Sequence, residues 1–235
     1  MTTLHDHHRP RKFWKLLPER EKQVLRQIAR PVRYAGGTRI FAEGEESKFA
    51  LLIEVGAVKV TQRRLVGDGL GELVAIRTVD ELVGEGVWSE DQRNATVVAL
   101  CEVRALRIEA ADFAAFLSEF REAELALRRT ARDRSDDSLR KMLDPRNTSS
   151  RRQLARILIE LTDSFGSRAR GGSSGYEVDL GLSQAELGQL IGFSERTVHR
   201  VLADWRRRGL VSIDDRRVII HDDVSLRRIA GWSRH

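Results

Sequence analysis

Hydrophobic and polar residues recur along the chain with two different periods, and each period predicts a different kind of element. Residues 13–29 carry apolar positions at helical spacing, interrupted at Pro18, and predict one or two short helices. From residue 32 to about 108 the pattern changes to short β-branched runs separated by glycine, which predicts strands. The predicted strands are Arg39–Ala42, Phe49–Val55, Ala57–Thr61, Glu72–Thr78, Ala95–Leu100 and Val103–Ile108. Six short strands with regular turns predict a small antiparallel sandwich or barrel that can enclose a ligand.

Glycine and proline are absent from about residue 110 to 143, and apolar residues recur there at helical intervals. The segment therefore predicts one long helix. Its apolar positions approximate a coiled-coil seam that Glu124, Arg134 and Ser138 interrupt. Two interpretations stay open: a dimerisation helix, or an amphipathic helix that lies on the sandwich.

A break at Asp144-Pro145 is followed by Ser149 or Ser150, either of which can cap a new helix. We place a domain boundary here. The Gly/Ser/Arg-rich stretch from Gly166 to Gly175 is typical of a mobile surface loop.

The strongest local pattern begins at Ser183, where Ser-x-x-Glu predicts a capping box and the start of a helix. Gly192 is the expected turn residue, and Ser194 can cap a second helix. Val198, Val201, Leu202 and Trp205 follow at i, i+3, i+4 and i+7, so they face the core. This combination predicts a helix-turn-helix.

The opposite face of the second helix predicts a surface that meets base edges in DNA. It carries Glu195, Arg196, His199, Arg200 and Ala203. Residues 150–235 contain fifteen arginines, no lysine and eleven acids, and arginine suits bidentate contact with guanine or phosphate. The alternative is a structural helical hairpin with an ordinary charged surface.

Two apolar runs, Leu210–Ile213 and Val218–Ile220, flank a polar tip and predict a hairpin that would form a wing. Arg216, Arg217 and the run Arg206–Arg208 are candidates for phosphate contact. A solvated charged surface is the other interpretation.

Composition excludes several classes of site. The single cysteine, Cys101, rules out a disulfide framework and cysteine-ligated clusters within one chain, and a buried thiol is expected. His5, His7 and His8 are expected to belong to a flexible terminus and not to a metal site. No run is long and apolar enough for a membrane span, and the polar start predicts a cytoplasmic protein. No spacing typical of catalysis is found, so we expect no enzyme.

The segment Leu182–Leu210 resembles the winged helix-turn-helix of the Crp/Fnr family of transcription regulators. The resemblance rests on Ser-Gln-Ala-Glu-Leu-Gly, Gly-Phe-Ser-Glu-Arg-Thr-Val-His-Arg-Val-Leu and Arg-Gly-Leu. Tyr34–Glu45, Gly56–Val60 and Gly84-Glu85 are similar to the family's cyclic-nucleotide-binding sandwich. Ala110–Leu143 is similar to its dimer helix.

The resemblance implies an α+β fold with an antiparallel β jelly-roll sandwich, a long dimerisation helix and a C-terminal winged helix-turn-helix. The expected divisions are 1–109, 110–146 and 147–235. It also implies a homodimer on a two-fold symmetric operator in double-stranded DNA, RNA polymerase as a partner, and an effector that controls DNA affinity.

By resemblance to the phosphate-binding cassette of cyclic-AMP-binding members, the expected effector site contains Gly84, Glu85, Gly86, Arg93, Asn94, Arg134 and Ser138. Arg93 would neutralise a cyclic phosphate, Asn94 would donate to it, and Glu85 would accept from a ribose hydroxyl. The sequence departs from the cassette, however, because Gly86 replaces an aliphatic residue and Asn94 stands where Ser or Thr is usual. Three alternatives therefore stay open: cyclic AMP or another cyclic nucleotide, a different anionic ligand, or no ligand at all, in which case the chain is a constitutive DNA-binding protein.

The expected DNA contacts are Ser183, Gln184, Ser194, Glu195, Arg196, Thr197, His199, Arg200, Arg216 and Arg217. Well-studied members begin the recognition helix Ser-Arg-Glu-Thr, whereas this chain reads Ser-Glu-Arg-Thr. The exchange predicts an operator that differs from the familiar half-site.

Overall fold

The computed structural model describes residues 11–63, 71–88, 92–143, 149–168, 175–179, 181–214 and 217–232. The chain divides into two compact units. The first comprises residues 1–62 and 76–143, and the second comprises residues 63–75 and 144–235.

The first elements of the described residues are two short helices, α1 (Phe13–Leu16) and α2 (Glu19–Ile28), separated at Pro18 as the sequence predicts. Eight strands follow: β1 (Arg30–Tyr34), β2 (Arg39–Phe41), β3 (Phe49–Val55), β4 (Ala57–Arg63), β5 (Gly71–Thr78), β6 (Leu82–Val83), β7 (Thr96–Ala99) and β8 (Val103–Glu109). A short 3-10 helix spans Glu85–Trp88.

The strands form two four-stranded sheets with the orders β1-β8-β3-β6 and β2-β7-β4-β5. The strand pairs for which a register is defined are antiparallel. The predicted antiparallel sandwich is therefore confirmed. Periodicity alone missed β1, which begins Arg-Pro and has exposed residues, and β6, which has only two residues.

Strand β3 explains why its sequence is a continuous apolar run and not an alternating one. Phe49, Leu51 and Ile53 belong to the cluster with Phe41, Val58 and Val97 from the other sheet. Ala50 and Leu52 point the other way, into a second cluster with side chains of the helices. Because successive strand residues face opposite sides, a strand covered on both faces needs an apolar residue at every position.

The single helix predicted over residues 110–143 is interrupted once. The structure has α3 (Ala110–Glu119) and α4 (Arg121–Leu143), with the intervening Phe120 in an extended conformation at φ −113° and ψ 94°. Phe120 is buried, and its ring lies 5.2 Å from that of Phe116. The Phe120 side chain packs into the hydrophobic cluster that contains side chains of the helices, and we attribute the interruption to this packing. No glycine or proline in the sequence marks the interruption.

The second unit is a helical domain with a small sheet. Its elements are α5 (Ser150–Phe165), β9 (Ser167–Arg168), β10 (Tyr176–Asp179), α6 (Gln184–Ile191), α7 (Glu195–Arg207), β11 (Val211–Asp214), β12 (Arg217–Ile220) and α8 (Asp223–Ala230). The sheet order is β11-β12-β10-β9.

Two expectations for this unit are refined by the structure. The loop predicted over Gly166–Gly175 begins as strand β9, because β9 pairs with β10; residues 169–174 lie outside the described residues. The predicted wing hairpin is present as β11 and β12, paired in register from Val211 opposite Ile220 to Asp214 opposite Arg217. Among the described helices, none is both long and apolar enough to cross a membrane.

Candidate nucleic-acid interface and effector site

Local hydrogen bonds fix the start of each helix of the helix-turn-helix. The Ser183 hydroxyl accepts from the Glu186 N–H at 3.2 Å, and the Glu186 carboxylate accepts from the Ser183 N–H at 2.8 Å. This is the predicted capping box. At the next helix, the Ser194 hydroxyl accepts from the Thr197 N–H at 3.3 Å. Both helices therefore begin at the predicted residues.

Two glycines set the approach of α6 to α7. Gly192 ends α6 with φ +71°, a left-handed conformation that glycine adopts without steric penalty. A Cβ on Gly188 would lie 2.6 Å from the carbonyl oxygen of Phe193, so only glycine allows this contact. Gly188 thus allows close contact between α6 and the start of α7, whereas Gly192 supplies the backbone conformation of the turn.

The predicted inner face of α7 is confirmed. Val198, Val201, Leu202 and Trp205 are buried, and Trp205 is fully inaccessible to solvent. A helix with one buried stripe turns its opposite face outward.

That outer face is the recognition face, which we define as Glu195, Arg196, His199, Arg200 and Ala203. The first four side chains are exposed, and Ala203 is half-buried. A shallow concavity of about 420 Å³ follows this face and is lined by Ser194, Arg196, Thr197, His199, Arg200, Ala203 and Arg207. Thr197 is half-buried, and its hydroxyl lies 3.0 Å from that of Ser194.

The other expected DNA contacts have different surroundings. Ser183 is occupied by the capping box, and Gln184 is the half-buried first residue of α6. Arg217 is exposed at the wing, with Nη1 3.6 Å from a carboxylate oxygen of Glu177 on β10. Arg216 lies outside the described residues. The structure thus brings the α7 residues onto one surface, whereas the Ser183 side chain caps α6.

In the first unit, the effector-site cluster, defined as Gly84, Glu85, Arg93 and Arg134, lies around the 3-10 helix. Gly84 has φ +76°, and a Cβ there would lie 2.7 Å from Nη1 of Arg93. A glycine at this position lets another group come close to the main chain. In this structure the group that approaches Gly84 closely is the Arg93 guanidinium.

Arg93 is buried, with 5% of its surface exposed. It donates to the carbonyl oxygens of Gly84 at 3.1 Å and Phe49 at 2.6 Å, and its Nε donates to the Ser47 hydroxyl at 2.9 Å. The guanidinium also stacks on the rings of Phe41 and Phe49, 4.1 and 4.9 Å from their centroids. Burial lowers the pKa of Arg93, yet an arginine remains a cation in such a site.

Glu85 pairs with Arg134 of α4, so two of the expected effector-site residues contact each other. Arg134 also donates to the carbonyl oxygen of Leu82 at 2.8 Å and lies 3.6 Å from the Glu81 carboxylate. Glu81 in turn accepts from the N–H and hydroxyl of Thr78. These contacts tie α4 to the sandwich.

Glu81 and Arg77 were missed by sequence reasoning. Arg77 Nε lies 3.8 Å from the Glu81 carboxylate, and the pKa of Arg77 is lowered by burial and by the nearby charge of Arg134. Their i, i+4 spacing is the available signal, but the same spacing is common on exposed helices. Their burial beside Arg134 depends on tertiary structure.

The remaining effector candidates are more peripheral. Gly86 is half-buried in the 3-10 helix, and Asn94 is exposed. The main-chain carbonyl oxygen of Asn94 accepts from the side-chain amide of Gln62 at 3.0 Å. Ser138 lies on α4, and its side chain is outside the described residues.

Within the described ranges, no three His, Cys, Asp or Glu side chains are placed to hold a metal ion. His5, His7 and His8 lie outside those ranges. Cys101 was expected to be buried, but it is only partly so, because it occupies the turn between β7 and β8 and not a strand.

Comparison with known proteins gives the same architecture. Residues 31–120 match the model of the cyclic nucleotide-binding domain, and residues 152–229 match that of the Crp-like helix-turn-helix domain. The chain is 28% identical over 208 residues to a CRP-like cAMP-activated global transcriptional regulator of Mycobacterium tuberculosis, covering 88% of this chain and 91% of that protein.

Two solved structures extend the comparison. A CRP-family transcriptional regulator from Thermus thermophilus is 25% identical, with a TM-score of 0.65 over 85% of this chain and 96% of that chain. A putative cyclic nucleotide binding protein from Ruegeria pomeroyi shares the fold, with a TM-score of 0.69 at 18% identity over 92% of each chain.

A sandwich of the cyclic-nucleotide-binding type and a winged helix-turn-helix in one chain define a class, the DNA-binding transcription regulators with a sensory domain. The two matched models cover most of the chain in the order that the sequence resemblance predicted. This chain belongs to the Crp/Fnr family of transcription regulators.

Proposed function

We propose that the chain acts as a homodimer on a two-fold symmetric operator, controls transcription together with RNA polymerase in the cytoplasm, and works by binding and not by catalysis. The observation that carries the DNA-binding role is the recognition face. It presents two arginines, a histidine and a glutamate to solvent on a helix whose opposite face is fully packed. A rigid helix of this kind suits the major groove.

Base reading is proposed for three side chains of the recognition face. Arg196 and Arg200 carry the forked donors that match O6 and N7 of guanine, and Glu195 is an acceptor for the amine of cytosine. Arg196 and Arg200 lie four residues apart on one exposed face, so they would meet neighbouring base pairs. Ser194 and Thr197, at the start of α7, would contact the backbone.

We propose further that an anionic effector, such as cyclic AMP, gates DNA binding from the effector-site cluster. Arg93 donates three of its five N–H groups to described residues, which leaves donors for a phosphate. A ribose hydroxyl would compete with Arg134 for Glu85. Such a ligand changes DNA affinity only through a difference in its affinity for the two conformers, and the Glu85–Arg134 pair that joins the 3-10 helix to α4 is a contact it would alter.

The same contacts favour a second candidate, a constitutive regulator whose sensory domain needs no ligand. Arg93 and Glu85 already have protein partners. The buried charges are therefore compensated without an effector, as a domain that only supports the dimer would require.

One experiment separates the two candidates. Operators are selected from random DNA by the full chain, alone and with cyclic AMP or cyclic GMP, and affinity for the selected duplex is then measured under each condition. A gated regulator gives tighter binding with one nucleotide, and calorimetry detects that nucleotide on the free protein. Equal operator affinity in all conditions, with no heat of binding, supports the constitutive protein. Failure to enrich any sequence contradicts both.

A further inference from the structure

An acidic side chain lies on the recognition helix one turn beyond Arg200. Asp204 of α7 is largely buried, with 20% of its side chain exposed. A carboxylate at the margin of a DNA-binding surface repels phosphates. The negative charge of Asp204 must therefore be neutralised by nearby cations or have a specific function.

Three guanidinium groups surround this carboxylate. Arg207 Nη2 donates to Oδ1 at 3.2 Å, and Arg208 Nη1 lies 3.8 Å from Oδ2. The third, Arg151, comes from the first turn of α5, and its Nη2 lies 3.1 Å from Oδ2. Asp204 therefore joins α5 to α7 through their arginines.

The arginines are much more accessible to solvent than the Asp204 carboxylate. The side chains of Arg151, Arg207 and Arg208 are 49%, 78% and 57% exposed. Arg207 also lines the concavity along the recognition face. The cluster thus directs cations toward solvent beside the residues assigned to base reading.

We propose that Arg151 and Arg207, held by Asp204, form a phosphate clamp that binds the DNA backbone beside the groove occupied by α7. Asp204 is a positioning residue that touches no phosphate itself. Each guanidinium has five donors. Arg207 donates one hydrogen bond to Asp204, and Arg151 forms an ion pair with it, so donors remain for phosphate oxygens. Orienting a long side chain before binding reduces the rotamer entropy lost on binding. This inference rests on the proposed DNA-binding function.

The phosphate clamp predicts a change in DNA affinity opposite to the one expected from charge alone. Asp204→Asn removes a negative charge close to a polyanion, so a simple long-range effect would tighten DNA binding. Loss of positioning weakens it instead. Asp163→Asn is the matched control, because it makes the same charge change on α5, twelve residues beyond Arg151 or about 18 Å along the helix. Asp163 pairs with Arg227 of α8.

Binding of the full chain to its selected operator and to random duplex DNA is measured by fluorescence anisotropy over a range of salt concentrations. We expect Asp204→Asn to bind both duplexes more weakly than Asp163→Asn. Arg151→Gln and Arg207→Gln should each reduce the magnitude of the slope of log Kobs against log salt by about 0.9, the change for one lost phosphate contact. Arg151→Gln should cost less in the Asp204→Asn background than alone.

Equal or tighter binding by Asp204→Asn, or unchanged salt slopes for both arginine variants, overturns the clamp. Circular dichroism verifies folding, and if Asp204→Asn does not fold, the two arginine variants decide alone. The proposed function fails separately. In that case the unmodified chain does not prefer its selected operator, whereas failure of the clamp leaves that preference intact and still sensitive to Arg200→Ala.

Discussion

The effector-site cluster and the recognition face contain similar charged residues, but the fold treats them in opposite ways. Arg93 is buried and Arg134 is half-buried, and both are bonded to carbonyl oxygens or carboxylates of the protein. Arg196 and Arg200 are exposed on a capped helix. A ligand at the first site must replace or share existing contacts, whereas DNA at the second meets side chains that are solvated in the free protein. The buried site is therefore suited to a switch, and the exposed face to sequence reading.

The largest expected effect concerns the packing beneath the recognition face. Trp205→Ala should destabilise the second unit by about 3–5 kcal/mol, since it opens a cavity at a fully buried aromatic residue. Urea unfolding followed by circular dichroism measures the loss. Arg206→Ala, at the exposed neighbouring position, is the control and should change stability by less than about 0.5 kcal/mol. Similar stabilities for the two variants would contradict the assignment of Trp205 to the core.

The next test asks whether Arg93 is a structural residue in the absence of ligand. Arg93→Ala leaves the buried carbonyl oxygen of Phe49 without this donor, at about 1–3 kcal/mol, and also removes the donor to the partly buried carbonyl oxygen of Gly84. Thermal unfolding without nucleotide should show this loss. Asn94→Ala changes the exposed neighbour and should leave stability unchanged. A fully stable Arg93→Ala protein would show that the contacts contribute nothing to folding.

On the exposed face, the expected effect is on selectivity. Arg200→Ala should weaken operator binding by about 1–3 kcal/mol and relax base choice at one position, because a bidentate base contact is lost. Binding to the selected operator is compared with binding to variants at each position. Equal losses on operator and random DNA would instead assign Arg200 to the backbone.

A smaller effect is expected at the N-terminal cap of α7. Ser194→Ala removes the acceptor for the Thr197 N–H and should destabilise the second unit by about 1 kcal/mol. Chemical denaturation measures this change. Ser194→Asp restores a capping acceptor and should recover most of the stability. A failure of aspartate to do so would argue against the cap as the cause.

The smallest expected effect is a pH dependence in the first unit. Hydrogen bonds and the charge of Arg11 hold the pKa of Asp133 below its ordinary value. The folded state therefore prefers the carboxylate, so this stabilisation is present above the ordinary pKa of aspartate and is lost as pH falls through the lowered pKa. The pair is on the surface and should contribute less than about 1 kcal/mol.

Acid titration of stability tests this pair. Asp133→Asn should lower stability at neutral pH and flatten the acid part of the profile, whereas the two proteins should converge below the lowered pKa. Parallel profiles at all pH values would contradict the assignment.

The helix-turn-helix could be predicted almost completely because its signals are local. Ser183, Gly192 and Ser194 act on backbone groups within three or four residues, and the apolar spacing from Val198 to Trp205 defines one buried face. Most strands of the sandwich were found for the same reason, since β-branched runs and intervening glycines report local geometry. The missed elements are β1, β6, the 3-10 helix, β9, β10 and α8, whose patterns are short or polar.

The amino-acid sequence by itself determined the order of the elements, the helix caps and turns, and which face of α7 is apolar, because these depend on neighbours within one or two turns. Tertiary structure decided the bend at Phe120, the use of Arg93 as a donor to main-chain carbonyls, and the meeting of Arg151 with Asp204. Each of these three features depends on contacts between residues that are distant in sequence, or on the choice of one bonding partner among several that are chemically equivalent. The outcome depends on burial and distance, which no local pattern encodes.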